Sequence, residues 1–214
     1  MKTSLSLRTI LILLIFSAVS CTKTSKQNPL LKEWTGPYQG TPAFNKMHVE
    51  DVKPAMLKAM ELKLAEIEVI ANNTNPPTFT NTIEEMERSG ASLNRAYAYY
   101  GIFSSNMSSS EFRAVQTELA PLLSEFQSKI TQNEKLFARV KSVYEASLKT
   151  PLPSDQQRVV ALVYQGFAMN GAALSKENKV AYAAINKKLS SLYTKFSNNV
   201  LHDEENYTTF LTED

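Results

Sequence analysis

Two histidines, several paired carboxylates and a single cysteine are the residues of this chain best suited to chemistry. A helical zinc-hydrolase site needs two histidines four residues apart with glutamate beside the first, so that both rings reach one metal and the carboxylate activates its water. His202 begins such a string, but Asp203 follows it and Asn206 stands in the second position. His48 is equally isolated, so both histidines are expected at the surface or in ordinary hydrogen bonds and not as ligands. The pairs Glu84-Glu85 and Glu204-Glu205 have the groups for acid and base work, yet nothing in their spacing separates them from solvated helix faces. No Gly-x-Ser-x-Gly elbow and no glycine-rich phosphate loop is present. Tyr97, Tyr99 and Tyr100 have the rings to line a groove; Tyr97 and Tyr100 fall on an apolar stripe and are expected in the core, which leaves Tyr99 as the surface candidate. No catalytic, metal-ligating or substrate-binding residue is assigned from these patterns.

Cys21 belongs to an address. Residues 1–20 carry Lys2 and Arg8, then the apolar run from Ile10 to Phe16 and the small residues Ser17, Ala18 and Ser20, the layout of a secretory signal too short to span a bilayer permanently. Small residues before the sole cysteine resemble a bacterial lipobox, in which Cys21 becomes the lipidated N-terminus; a plain signal peptide and an uncleaved anchor are the alternatives. Residues 21–27 then form the lipidated cysteine and a polar tether, and the expected location is the bacterial cell envelope, lipid-anchored and facing the periplasm. One cysteine excludes an internal disulfide.

The elements that would position any site are helical. The 214 residues are 43% hydrophobic with six glycines, enough to bury a sizeable core. Setting aside Lys2 and Arg8 leaves basic and acidic residues equal at 21 each, and their alternation gives no patch suited to nucleic acid. Asn28 to Asn45 is broken by Pro29, Gly36, Pro37, Gly40 and Pro42, and reads as an arm anchored through Leu30, Leu31, Trp34, Tyr38 and Phe44.

A first helix is expected from Lys53-Pro54, with Leu57, Met60, Leu64, Ile67 and Ala71 inward. From Pro77 to Met107 the residues Ile83, Met86, Gly90, Leu93, Tyr97, Tyr100 and Met107 form one stripe, capped by Thr78 or Thr80; Gly90 marks either a break between two helices or a close backbone contact. A third helix follows Ser108–Ser110 with Phe112, Val115, Leu119, Leu122, Phe126 and Ile130 inward and Pro121 as a possible kink. A fourth starts near Asn133 with Leu136, Val140, Val143 or Tyr144, and Ser147. A fifth opens on a capping box of Ser154 and Gln157 and buries Val160, Val163, Phe167 and Gly171. The last begins near Ser175 with Ile185, Leu189, Leu192, Phe196 and Val200 as its buried line, and Tyr207 to Leu211 is a short β-prone segment.

An ordered set of phrases resembles the M3 zinc metallopeptidases, the peptidyl-dipeptidase (Dcp) type more than the oligopeptidase A type. They are Asn28-Pro-Leu-Leu31, Val52-Lys-Pro-Ala55, Ala65-Glu-Ile67, Pro77-Thr-Phe-Thr-Asn-Thr-Ile83, Glu87-Arg-Ser-Gly90, Leu93-Asn-Arg95, Leu136-Phe-Ala-Arg-Val140, Gly171-Ala-Ala-Leu174 and Phe196-Ser-Asn-Asn-Val-Leu201. The resemblance covers residues 28–214 and implies an all-α, multi-helix N-terminal region of a neurolysin-like peptidase, with a β-prone segment at its C-terminal end. It further implies a helical shell around a substrate channel, zinc in the full-length enzyme, short peptides as partners, and release of C-terminal dipeptides. The family's His-Glu-x-x-His motif is not among these residues, so the expectation is an N-terminal part without its catalytic domain, inactive alone, with no cofactor of its own. The alternative is a non-catalytic helical lipoprotein that binds peptides or a protein partner.

Overall fold

The computed structural model describes residues 27–36 and 40–211, and the regular structure among them is all helical. Two 3-10 turns, Pro29–Leu31 and Phe44–Lys46, precede α1 (Val49–Ala71). A π-helical turn, Phe79–Glu84, runs into the short α2 (Glu85–Arg88); then come α3 (Ala91–Asn106), α4 (Ser110–Thr131), α5 (Glu134–Lys149), α6 (Ser154–Met169) and α7 (Lys176–Asn206). The leader, Cys21, Tyr38 and Asp214 lie outside the described residues.

α1 is the central element and packs against α3, α4 and α5. Its Ala55, Met56 and Ala59 are fully enclosed, and alanines one turn apart let the neighbouring helices approach closely. The helix begins earlier than Lys53-Pro54, at Val49, because Glu50 and Asp51 complement the positive end of its dipole and Pro54 is tolerated inside it. Met60, Ile67 and Ala71 are buried as their spacing predicts, whereas Leu57 lies outside the buried sector. Leu30 and Leu31 strap the arm onto α1 and α3, and Phe44 is exposed.

Gly90 is a break. Ser89 is extended, and Gly90 takes φ +89°, a left-handed conformation that costs glycine little and other residues more. The stripe therefore does not run through. A helix restarting at Ala91 has its own phase, and its buried line is Leu93, Ala96, Tyr99 and Phe103. This overturns the assignment of the tyrosines: Tyr99 is 1% exposed and Tyr97 is 39% exposed, with Tyr100 only partly covered. Tyr99 stands edge-on to Trp34 at 6.3 Å, and its hydroxyl accepts a hydrogen bond from the Ala43 N–H at 2.9 Å. Met107 is exposed.

α4 follows its predicted line. Ser109 caps it by accepting from the Phe112 N–H at 3.2 Å, the helix passes Pro121 without a break in assignment, and Phe112, Leu119, Phe126 and Ile130 are buried. Phe112 stacks on Phe103 at 5.3 Å. Asn133 caps α5 through the Leu136 N–H at 2.9 Å, and Leu136, Val140, Val143 and Ser147 are all buried. α5 meets α6 through parallel rings, Tyr144 on Tyr164 at 4.2 Å and Phe137 on Tyr164 at 5.9 Å. The capping box at Ser154 does not form: Pro153 occupies the cap position, and the Gln157 amide instead accepts from the Leu152 N–H at 3.3 Å and donates to Ser147 Oγ at 3.0 Å. Val160 and Phe167 are buried as expected.

α7 contradicts its predicted packing. Ser175 caps it through the Asn178 N–H at 3.3 Å, but Ile185, Leu189, Leu192, Phe196 and Val200 are all exposed, and none of its residues is fully buried. Residues 207–211 are exposed and form no strand, since among the described residues no neighbouring strand shares backbone hydrogen bonds with them.

Candidate functional site

The residues with catalytic potential are dispersed. His48 is the exposed residue before α1 and makes no side-chain cap bond; His202 is exposed near the end of α7, its Nδ1 3.3 Å from Asn206 Nδ2. Glu84 is engaged by Arg88 one turn on, and Glu205 is held by Arg113 through two contacts at 2.9 and 3.3 Å. These carboxylates are ion-pair partners, not an acid and a base sharing a cleft. Among the described residues no three His, Cys, Asp or Glu side chains are grouped to hold a metal ion, so the donor set here does not fit zinc.

Two polar knots fix the connection between α1 and α3. Arg139, almost fully buried on α5, donates to the Asn73 and Asn75 carbonyls at 2.6 and 3.0 Å, to Asn81 Oδ1 at 2.8 Å and to Thr82 Oγ1 at 3.1 Å. Asn81 in turn closes a reciprocal cap with Thr78: its N–H donates to Thr78 Oγ1 at 3.1 Å, and its Oδ1 accepts from the Thr78 N–H at 2.9 Å. At the other knot Lys63 of α1 donates to the Met86 and Ser89 carbonyls at 3.2 and 3.0 Å and also meets Ser89 Oγ, while Glu66 Oε2 accepts from the Gly90 N–H at 2.5 Å. Burial pushes the Lys63 ammonium pKa down, against the pull of Glu66 and Glu87. Both knots engage backbone groups through charged side chains, and Glu66 and Ser89 of the second also line a small groove of about 270 Å³.

The surface with an unspent chemical character is made by α4 and α7. The two helices run antiparallel: Arg113 meets Glu205, Thr117 meets Asn198, the Ala120 carbonyl accepts from Ser190 Oγ at 2.7 Å, and Glu125 meets Lys187. The half-covered side chains of α7 include Asn186, Ser190, Thr194 and Asn198, spaced by one turn, so its sheltered face is polar. Most of its apolar stripe points the other way, with Phe196 67% exposed, while Leu189 borders the seam. An exposed apolar line beside a polar inner seam is the reverse of what a helix resting on its own domain needs, and marks an interaction surface. The polar seam was overlooked in the sequence, although the four-residue spacing from Asn186 to Asn198 is a legible helical signal. Within the seam a groove of about 490 Å³ opens between the helices, lined by uncharged side chains. No described helix is long and apolar enough to cross a membrane.

Comparison with known proteins places this architecture. Residues 54–179 match the N-terminal domain of the neurolysin/thimet oligopeptidase family. The chain is 30% identical over 174 residues to dipeptidyl carboxypeptidase of Salmonella typhimurium, an alignment covering 81% of this chain and 25% of that protein. It is 28% identical over 187 residues to oligopeptidase A of Escherichia coli, covering 87% and 27% respectively. With the organellar oligopeptidase A of Arabidopsis thaliana it shares 24% over 194 residues, 89% of this chain and 23% of that one. The chain thus spans about a quarter of the length of the curated relatives it matches. With all-helical architecture among the described residues and a family match running from α1 into α7, the chain belongs to the neurolysin/thimet oligopeptidase family of M3 peptidases, matching its N-terminal domain.

Proposed function

We propose that this helical domain forms one wall of the substrate channel of a zinc metallopeptidase of the peptidyl-dipeptidase type, an enzyme that hydrolyses short peptides and releases C-terminal dipeptides. The observation that carries the proposal is the inverted face of α7: five apolar residues from Ile185 to Val200 stand exposed on a helix with no buried residue, whereas each of the other long helices buries at least two apolar side chains. Covering one such side chain is worth about 1.5–3 kcal/mol, so this face is suited to hold a catalytic part against the helical body. The described residues do not fit zinc, and no hydrolytic step is derived from them. Their contribution is enclosure: a packed wall that excludes folded proteins by size and positions a peptide.

The test is to extend the coding sequence past Asp214, look for His-Glu-x-x-His in frame, and assay the extended product beside the 214-residue chain on an N-terminally blocked peptide. Zinc-dependent release of the C-terminal dipeptide is expected from the extended product alone. Release by the 214-residue chain, or an extended product without the motif, overturns the reading. We also propose that Cys21 is lipidated and holds the protein on the periplasmic face of the envelope, because small residues and an apolar leader precede the only cysteine. A Cys21→Ala variant is expected to leave the detergent phase on partitioning; unchanged membrane association refutes the anchor.

A further inference from the structure

The groove between α4 and α7 is built from groups that hydrogen-bond without charge. Ser124 and Ser128 contribute from α4, and Tyr182, Asn186, Tyr193 and Thr194 from α7. None of these six side chains has a hydrogen-bond partner among the described residues, in contrast to Ser190 and Thr131 in the same groove, which bond to the Ala120 and Gln127 carbonyls. Beside the groove, Lys187 of α7 and Lys129 of α4 both pair with Glu125. The lining therefore offers hydroxyl and amide donors and acceptors, two aromatic rings and the apolar Leu189, with no charged side chain among them.

Its shape is linear. Tyr182, Asn186 and Thr194 lie along one face of α7, and at a rise of about 1.5 Å per residue they mark a track roughly 18 Å long. An extended chain advancing about 3.3 Å per residue fills that length with about five residues. A main chain presents one donor and one acceptor per residue, the complement of side-chain hydroxyls and amides.

We propose that this groove holds the main chain of a short extended peptide, through Ser124, Ser128, Asn186 and Thr194 with Tyr182 and Tyr193 against its flanks, independently of the peptide's charged side chains. The proposal rests on the peptidase reading above, and it locates substrate contact on the α4–α7 seam, which meets the apolar face assigned to the catalytic part at Leu189.

The test titrates the isotope-labelled 214-residue chain with a blocked pentapeptide, acetyl-Ala-Ser-Ala-Ser-Ala-amide, and follows backbone amide shifts by NMR. Saturable shifts are expected at positions 124, 128, 186 and 194. Two variants that retain the wild-type helical signal, Asn186→Leu with Thr194→Val, and Ser128→Phe to fill the groove, are each expected to weaken binding about tenfold. Absence of shifts at millimolar peptide, shifts confined to other surfaces, or wild-type affinity in both variants overturns the site. So does an equal response to a neutral linear oligosaccharide such as cellopentaose. A peptide that binds here while the extended protein lacks hydrolytic activity rejects the peptidase reading and leaves the groove standing. An active enzyme without groove shifts does the reverse.

Discussion

α4 and α7 lie side by side in antiparallel register, yet they use their apolar residues in opposite ways. α4 turns Phe112, Leu119, Phe126 and Ile130 into the body, whereas α7 turns Ser190, Thr194 and Asn198 toward α4 and leaves Leu192 and Phe196 in solvent. Both helices carry the three-four apolar spacing of an amphipathic helix. The difference teaches that such a stripe states a demand for shelter without naming what supplies it. In α4 the shelter is α1 and the ring of Phe103; in α7 nothing described supplies it. Mutations should separate the two helices by the size of their effect on the isolated chain.

The largest loss is expected at the inner face of α4. Phe112 has no exposed surface and touches both Phe103 and Tyr100, with ring centres at 5.3 and 5.4 Å. Phe112→Ala should cost about 3–5 kcal/mol, read as a fall in the urea midpoint at unchanged slope. A loss below about 1 kcal/mol would mean that this core is looser than its burial states. Arg139→Met comes next, at about 2–3 kcal/mol, because it strands the carbonyls of Asn73 and Asn75 and the side chain of Asn81 without their charged donor. Its signature is local: hydrogen exchange should rise first in the loop between α1 and α2.

A smaller effect tests the knot at the start of α3. Gly90→Ala places a Cβ 2.9 Å from Lys63 Cδ at φ +89° and should cost about 1 kcal/mol. The same knot gives a pH dependence of known sign. The Lys63 pKa is lowered by folding, so between that value and the ordinary lysine value of 10.5 the unfolded chain binds more protons, and stability should rise with pH through this window. Burial raises the pKa of Tyr97 and Tyr100 above 10.0, so above pH 10 the folded state holds more protons and stability should fall. Urea midpoints across this range should lose their rising limb in Lys63→Met and keep the falling one.

Much of the body was legible because local chemistry decides it. Ser109, Asn133 and Ser175 cap helices at or beside the positions that their types and the following periodicity indicate, and α5 buries the residues its spacing selects. Two things were not legible, for different reasons. The phase of α3 was lost because one residue at positive φ rotates everything after it, which moved Tyr99 from the predicted surface into contact with Trp34. The role of Arg139 was invisible because its partners are mostly backbone carbonyls more than fifty residues away, and such carbonyls leave no mark in sequence. Of the candidate site, the apolar half of α7 was read correctly as a line of residues and wrongly as buried.

That error yields the smallest predicted effect and the sharpest test of the contrast with α4. Leu192→Ser and Phe196→Ser remove apolar side chains that are 51% and 67% exposed, so in the 214-residue chain each should change stability by no more than about 0.5 kcal/mol. The same substitutions should raise solubility by shrinking an exposed apolar patch. In an extended protein that covers this face, each should instead cost about 1–3 kcal/mol, since the side chains then become core and a buried hydroxyl must find a partner. Equal, small losses in both contexts would show that α7 stays in water, and the wall proposed here would then need another contact surface. A large loss in the 214-residue chain itself would mean that a second copy already shelters the stripe, which a concentration-dependent unfolding midpoint would reveal.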